Sequence, residues 1–278
     1  MHVDMPERVI KMNTTFNPKV PVLMYHEVLP ALLKRNQRFM TPLYVITSSL
    51  FEEHVRMLAQ RDYRSLLPEE VPGVNGDGKY VVLTFDDGLA GNYRHALPIL
   101  IKYGFKATFF VAVGSVASDR FMNWAELQEL VDNGMSVQSH TVSHAPLETL
   151  GDEEIHRELY ESKREIERRL NTTVSVLSFP HGSYNRRVVD IAKQTGYRYM
   201  CSSDVTPTYR NSFLENPAIL GRLAVTYKVN AQQLSSWVEY NNAELLLARW
   251  SKRAKSRLRK IIGVKNYGRL YRIFFNIK

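Results

Sequence analysis

Short apolar runs alternate with amphipathic helical patterns along most of the chain, and this rhythm restricts the possible folds more than any other feature. Tyr80–Phe85 and Ala107–Val113 are apolar at nearly every position, which is typical of strands covered on both faces. Helical patterns such as Asp152–Leu170, with Asp152 as a possible cap, separate the strands. About seven or eight such units predict an α/β fold, specifically a distorted (β/α) barrel. Further strands are predicted at Val20–Tyr25, Met135–Ser139, Val174–Phe179, Tyr197–Ser202 and Ile219–Val225.

Charge is distributed unevenly and divides the chain into three segments. Residues 243–278 hold eleven of the 37 lysines and arginines but one of the 28 acidic residues, so the remainder is close to neutral. We expect an N-terminal extension at 1–17, a catalytic domain at 18–242 and a basic C-terminal tail at 243–278. A near-neutral body does not indicate a nucleic-acid-binding protein.

The tail has the pattern of an amphipathic helix at a membrane surface. Its apolar residues recur at spacings of three and four and are surrounded by lysines and arginines, as in helices that lie among anionic headgroups. Packing of the same stripe against the barrel is the alternative. The apolar positions are Leu247, Trp250, Ala254, Leu258 and Ile261.

The N-terminal residues suggest a location. The first 19 residues are polar and lack the apolar stretch of a secretory signal, so a cytoplasmic protein is expected, with its tail at the inner face of the membrane. The single cysteine, Cys201, lies in an apolar run and is expected to be a buried structural thiol.

Polar clusters follow three of the predicted strands. Asp86 and Asp87 come after Tyr80–Phe85, and His140 and His144 come after Met135–Ser139. A third cluster begins at Pro180, after Val174–Phe179. Because working residues in a (β/α) barrel gather at the carboxyl ends of its strands, we expect these clusters to meet in one site.

The two histidines suggest a metal. A turn of helix would put His140 and His144 on one face, and two imidazoles with one carboxylate leave coordination positions open for water and substrate. Of the adjacent acids Asp86 and Asp87, one could bind the metal and the other act as a general base. The alternatives are a pair of loop histidines bonded to backbone and an ordinary Asp-Asp-Gly turn.

Three short motifs of the sequence resemble those of a known family. Thr84–Gly88 (Thr-Phe-Asp-Asp-Gly), Ser139–His144 (Ser-His-Thr-Val-Ser-His) and Phe179–Gly182 (Phe-Pro-His-Gly) resemble successive motifs of the NodB-like polysaccharide deacetylases, carbohydrate esterase family 4. Their order and spacing match across roughly residues 80 to 200. The resemblance implies a distorted (β/α) barrel that hydrolyses N-acetyl groups of amino sugars in a glycan.

The resemblance also implies roles for individual residues. Asp86 would be the general base, and Asp87, His140 and His144 would hold a divalent metal. The amide of His181 would help to bind the oxyanion. Zinc is the first expectation for the metal, with cobalt or nickel as alternatives. The residues expected to contact the sugar are Pro180, Gly182 and Tyr184.

Two positions depart from the family pattern. Ser178 stands where the family usually has an arginine that orients the base, and Arg222 is a candidate replacement, with a structural salt bridge as the alternative. The family's C-terminal motif that supplies the general acid is absent, but a similar run, Pro21–His26, occurs near the start. This order resembles the biofilm poly-N-acetylglucosamine deacetylases, so His26 is the predicted general acid. A histidine simply hydrogen-bonded at a strand end is the alternative.

Other functions remain open at this stage. A catalytically silent relative could bind glycan through the same groove, and a deformylase or cyclic-imide hydrolase could use the same scaffold. The motifs do not separate acetyl from formyl groups, or a polymer from a lipid-linked sugar.

Overall fold

The structure is a computed structural model, and it describes residues 17–31 and 42–240. Its strands are β1 (Val22–Tyr25), β2 (Glu27–Leu29), β3 (Val45–Thr47), β4 (Tyr63–Ser65), β5 (Lys79–Phe85), β6 (Thr108–Val111), β7 (Ser136–Ser139), β8 (Val176–Ser178), β9 (Tyr199–Cys201), β10 (Ala218–Leu220) and β11 (Leu223–Ala224). Its α-helices are α1 (Ser48–Gln60), α2 (Leu97–Tyr103), α3 (Trp124–Asp132), α4 (Asp152–Leu170), α5 (Arg186–Gln194) and α6 (Ala231–Val238).

The main sheet is parallel and curled. Its strand order is β10-β9-β8-β7-β6-β5-β1-β11, and β4 also pairs with β5. Two residues, Gly221 and Arg222, separate β10 at one edge from β11 at the other. The sheet therefore curls until a single short run of chain joins its two edges. The predicted distorted (β/α) barrel is confirmed.

The two faces of the sheet carry different apolar clusters. The larger cluster joins the strands to the helices, through residues such as Phe51 of α1 and Ile155 of α4. The smaller one contains no residue of α1 to α6 and fills the inside of the curl. Because side chains alternate along a strand, Val82 of β5, Val176 of β8 and Leu220 of β10 share this inner face.

That alternation also sets the position of the site. Two or four residues beyond the inner apolar positions, the side chains become polar at Asp86, Ser178 and Arg222, all of them buried. The inside of the curl is therefore apolar in its middle and charged at the carboxyl ends of the strands. Polar side chains were predicted to converge at this end of the sheet.

Most predicted elements are present, with boundaries shifted by a few residues. The inner face predicted for α4, which includes Ile155 and Leu159, is buried, and so is Cys201. The proposed cap of α4 was wrong, because Asp152 is the first helical residue and Gly151 is the cap. The amide of Gly151 donates to Glu154, and Asp152 adds negative charge to the first turn, where the helix dipole favours it.

Some features were not predicted. The run predicted as one strand at Ile219–Val225 is interrupted at Gly221 and Arg222, and the short strands β2, β3 and β4 were not predicted. The predicted tail, residues 243–278, and residues 1–16 of the predicted N-terminal extension lie outside the described residues. Within the ranges 17–31 and 42–240, no helix has the length and apolarity that crossing a membrane would require.

Candidate active site

The carboxyl ends of neighbouring strands bring the predicted residues together. β1 lies beside β5 with Tyr25 opposite Phe85, so His26 and Asp86 follow adjacent strands. β7 lies between β6 and β8, and it delivers His140 next to the loop that starts at Pro180.

Asp87, His140 and His144 form a compact cluster. Oδ1 of Asp87 lies 3.4 Å from Nε2 of His140 and 3.2 Å from Nε2 of His144. One potential ligand atom from each residue lies within 4.8 Å of the other two, and no other such group of three occurs in the part of the chain that the structure describes. His140 is buried, whereas 32% of the His144 side chain is exposed, so the cluster opens to solvent on the His144 side.

The chemistry of these donors fits a divalent cation. Nδ1 of His140 lies 2.8 Å from the carbonyl oxygen of Ser178, and a carbonyl can only accept, so Nδ1 carries the proton. In the neutral ring Nε2 then directs a lone pair at the Asp87 carboxylate. Two facing lone pairs need a positive charge between them, and a shared cation satisfies all three residues. The bond to Ser178 is the kind that orients metal-binding imidazoles.

The pKa values in the cluster indicate the same need for positive charge. Burial by itself raises the pKa of Asp87, but the neighbouring imidazoles of His140 and His144 outweigh this and leave the pKa well below its usual value. Burial lowers the pKa of His140, yet the neighbouring Asp87 and Asp86 raise it overall. Asp87 is therefore held as a carboxylate.

The backbone that presents these ligands differs from the prediction. His140 and His144 do not lie on a helical turn, because the segment after β7 is irregular and Thr141 and His144 have φ values of 68° and 60°. Nor is Asp87 in an extended segment, since its φ is 76°. The three ligands are therefore brought together by left-handed backbone at Asp87, Thr141 and His144 and not by a helical turn.

Asp86 is separated from this cluster by a different set of contacts. Its two carboxylate oxygens each lie 2.7 Å from a terminal nitrogen of Arg222. The Ser178 hydroxyl donates to Asp86 over 3.2 Å and accepts from Arg222 over 2.9 Å. Nε of Arg222 donates to the carbonyl of Ser202. Arg222 therefore contacts Asp86, as a replacement for the family's base-orienting arginine must. Ser178, which stands where the family has that arginine, bonds to both charged groups.

The pair keeps Asp86 ionised. Burial acts to raise the pKa of the Asp86 carboxyl, but the guanidinium of Arg222 and nearby His140 outweigh it, so the pKa lies below its usual value. The contact is a salt bridge that also fixes the orientation of the carboxylate. The two roles considered for Arg222, a structural salt bridge and orientation of the base, are therefore compatible. Its part in catalysis stays a prediction.

His26 lies at the end of β1 and faces the same site. Its ring stacks on Tyr44 with centroids 4.5 Å apart, and its buried Nδ1 has no hydrogen-bond partner among the described residues. Burial lowers the pKa of His26, while the charges of Asp86 and Asp87 act to raise it. Proton donation by His26 as the general acid stays a prediction.

The segment after β8 forms one wall beside the ligands. His181 has a φ of 57°, and its ring lies 4.6 Å from that of His144 in an edge-to-face contact. Gly182 has a φ of 62°, and a side chain there would collide with Ser203. Pro180 is buried. This backbone is constrained enough to present the His181 amide in a fixed direction, but oxyanion binding stays a prediction.

Tyr184 is tied into the structure. Its hydroxyl donates to Asp204 over 2.8 Å, and its ring stacks on Phe179 with centroids 4.8 Å apart. Burial, followed by this bond, raises the pKa of Tyr184 to about 12, so the hydroxyl stays protonated. Both contacts stabilise the segment that follows β8. Contact of Tyr184 with a sugar stays a prediction.

A cavity of about 360 Å³ opens beside the metal-ligand cluster. The segment around Phe121 forms its far side by pairing with Leu89 just after the Asp-Asp-Gly turn. Apolar and charged groups both line it, a mixture that is common in small-molecule sites. The lining residues are Asp87, Leu89, Ala112, Ser115, Asp119, Arg120, Phe121 and His144.

Asn92 is a site-supporting residue that the sequence did not indicate. Its amide nitrogen donates to the carbonyl of His26 over 2.6 Å, and its side-chain oxygen accepts from the amide of Val28 over 3.1 Å. Gly91 permits this approach, because a Cβ there would lie 2.7 Å from the Val28 carbonyl. A polar residue in a helical pattern is ordinarily read as a surface position, so no local signal separated Asn92 from its neighbours.

Comparison with known proteins gives a consistent result. Residues 73–200 match the family model described as polysaccharide deacetylase. The Bacillus subtilis (strain 168) protein YxkH, whose name assigns it to the polysaccharide deacetylases, is 30% identical over 185 residues. That alignment covers 65% of this chain and 63% of YxkH, so the chain spans less than two thirds of that relative's length.

Two further proteins carry more specific names. The poly-beta-1,6-N-acetyl-D-glucosamine N-deacetylase of Staphylococcus aureus (strain MSSA476) is 26% identical over 198 residues, which are 64% of this chain and 68% of that protein. The solved structure of the Streptococcus pyogenes deacetylase PplD in complex with acetate superposes with a TM-score of 0.73 and 26% identity. That superposition covers 80% of this chain and 99% of the solved chain.

Proposed function

We propose that this chain, which matches the polysaccharide deacetylase family model over residues 73–200, is a NodB-like deacetylase and a metal-dependent hydrolase of N-acetyl groups on amino sugars in a glycan. The observation that carries this proposal is the pairing of two acids with separate partners. Asp87 faces two imidazoles, and Asp86, the next residue, is clamped by Arg222. A binding protein without activity has no need for two adjacent carboxylates, one buried and one partly exposed, with such different environments.

Asp87, His140 and His144 would hold the metal. Two imidazoles and one carboxylate suit Zn²⁺ with an open position, and cobalt or nickel are also acceptable in such a site. When bound, the cation supplies Lewis-acid polarisation of a carbonyl and activation of water. The cavity beside the cluster would receive the acetyl group and part of the sugar ring.

Asp86 would act as the general base. Arg222 and Ser178 fix its carboxylate and keep it ionised, so a free lone pair on one oxygen can accept a proton from the attacking water. The amide of His181 would donate to the oxyanion that develops on the acetyl oxygen. His26 would deliver a proton to the departing amine.

Release of acetate from a panel of substrates tests this function. The panel contains N-acetylated oligosaccharides, a lipid-linked N-acetylated sugar, N-formylated analogues and a cyclic imide. We expect acetate release that a chelator abolishes and added Zn²⁺ restores. Preferential formate release or imide opening would indicate another hydrolase on the same scaffold.

The metal assignment has its own test in the same material. His140→Ala should lose most of the bound metal, measured by elemental analysis of the purified protein. Wild-type protein that binds glycan but releases no acid from any substrate would indicate a catalytically silent relative.

A further inference from the structure

The loop that carries both metal-binding histidines depends on one acid from a helix. The amides of Val142 and Ser143 both donate to the same carboxylate oxygen of Glu158, each over 2.8 Å. These two residues lie between His140 and His144. Glu158 therefore supplies two of the backbone hydrogen bonds in the five-residue segment that ends at His144.

The other amides of this segment are satisfied by nearer groups. The amide of His140 donates to the carbonyl of Val111, and that of Thr141 to the hydroxyl of Ser139. The amide of His144 donates to the Thr141 hydroxyl over 3.2 Å. Val142 is partly buried and Ser143 is exposed, so removal of Glu158 would leave their amides to water instead of one fixed acceptor.

The conformation of the loop makes these bonds important. Thr141 and His144 have left-handed backbone, which L residues adopt only when their surroundings hold them there. The opposite side of the loop packs against Gly114, where a Cβ would lie 2.8 Å from the carbonyl of Val142. The loop therefore contacts both Gly114 and Glu158.

The helix that carries Glu158 is firmly placed. Glu158 lies on α4, and its neighbour Leu159 and Ile155 one turn earlier are completely buried. By contrast, His144 has a partly exposed side chain and follows an irregular segment, whereas His140 is buried directly after β7. The position of His144 relative to Asp87 therefore depends on the loop more than that of His140 does.

We propose that Glu158 is a positioning residue for the metal site, which acts on the metal by holding His144 within reach of Asp87. This inference rests on the proposed metal dependence, but it concerns a residue that touches neither metal nor substrate. Its signature is a loss of metal affinity, which a residue that merely stabilises α4 would not produce.

The test measures the dissociation constant for Zn²⁺ of the full chain by competition with a chromophoric chelator. Glu158→Ala should weaken binding by about 10- to 100-fold, the usual effect of removing a group that orients a metal ligand. Glu158→Gln should lose less, because its side-chain oxygen can still accept from both amides. Glu161→Ala, an exposed acid on the same helix, is the matched control and should bind as the wild type does.

Several outcomes would overturn the role. Folded Glu158→Ala with wild-type affinity would do so, as would equal losses in the Ala and Gln variants. If Glu158→Ala does not fold, Glu158→Asp replaces it, because a carboxylate one methylene shorter no longer reaches both amides. A wild-type chain that binds no divalent metal would refute the proposed function as well, whereas wild-type binding with an unaffected variant refutes the role of Glu158 alone.

Discussion

At the residue scale, the site depends on the buried negative charge of one carboxylate. Asp86 is buried, and it is stabilised there by two bonds from Arg222 and one from Ser178. A buried ion pair contributes little beyond a well-packed apolar pair, but removal of one partner leaves an uncompensated charge. The site is therefore sensitive to loss of either member.

Replacement of Arg222 should expose this dependence. Arg222→Met keeps most of the side-chain volume but leaves Asp86 buried without its counter-charge, so the free energy of unfolding should fall by about 3–5 kcal/mol. Urea denaturation at neutral pH measures the change. Arg186→Met on α5, where the arginine side chain is 95% exposed, is the control and should stay close to the wild type. Equal stability of the two variants would contradict the assigned pairing.

Replacement of Asp86 should separate catalysis from metal binding. Asp86→Asn keeps the shape of the side chain but removes the base, so turnover should fall by about 10²–10⁴-fold while bound metal stays at the wild-type level. Acetate release and elemental analysis of the same preparation provide the two readouts. Near-normal turnover, or loss of the metal, would remove Asp86 from the role of base.

A residue of the site could be predicted from the sequence where it directly follows a predicted strand. Asp86, Asp87 and His140 directly follow apolar strands, so their positions required only the rule that such ends converge. Glu158 and Asn92 could not be found in this way, because each lies within a helical segment and does not follow a strand. Their contribution depends on tertiary packing, which a local pattern does not encode.

At the scale of elements, α1 is attached to the segment before α6 through a buried histidine. Nε2 of His54 donates to the carbonyl of Val229 over 2.8 Å, so its Nδ1 is left to accept from the Tyr25 hydroxyl at 3.3 Å. Both ring nitrogens are therefore satisfied only when the imidazole is neutral. Burial accordingly lowers the pKa of His54 from 6.5 to about 4, although the bond to Val229 works in the opposite direction.

This histidine should make stability depend on pH. The unfolded chain binds a proton at His54 below pH 6.5 and the folded chain only near pH 4, so the stabilisation is complete above pH 6.5 and is lost as pH falls toward 4. The full difference is on the order of 3 kcal/mol. Urea denaturation between pH 7 and 4.5 should give a shallower pH dependence for His54→Gln than for the wild type. His156→Gln, at an exposed position of α4, should retain the wild-type slope, and parallel curves for all three proteins would contradict the prediction.

The bounds of the helices were easier to predict than the bounds of the strands for a physical reason. A nine- or nineteen-residue helix such as α3 or α4 repeats its apolar pattern several times, and Asn123 marks the start of α3 through its bonds to the amides of Ala125 and Glu126. Strands of two to four residues, such as β9 and β11, contain too few positions to show a period. Their bounds are set by partners far away in the chain.

At the scale of the whole molecule, both ends of the domain meet at one site. β1 lies between β5 and β11, so the first strand, which precedes His26, lies between the strand that leads into Asp86 and the last strand, which follows Arg222. Motif order suggested this arrangement, but no sequence pattern specified the register of pairings that span about 200 residues. The closing turn at Gly221 also depends on residues outside its own segment, because its space is limited by the carbonyls of Asp204 and Thr206.

The uneven charge of the chain leads to the last prediction, which concerns residues 243–278. The domain before them is close to neutral, so attraction to an anionic membrane would come from the tail, at about 1 kcal/mol for each basic residue near the surface. A chain that ends at residue 242 should keep its turnover on a soluble substrate and lose binding to vesicles that contain phosphatidylserine. Full-length protein should bind these vesicles, bind neutral vesicles weakly, and dissociate as salt is added.

Matched charge variants separate attraction by the tail from a general effect of charge. Replacement of Lys252, Arg253, Lys255 and Arg257 by glutamine should reduce vesicle binding strongly, whereas the same change at Arg164, Arg168, Arg169 and Arg186 should not. Vesicle binding that survives the deletion would rule out the tail as the membrane element. A truncated chain that fails to fold would instead support the alternative, in which the apolar stripe packs against the barrel and its cations are simply solvated.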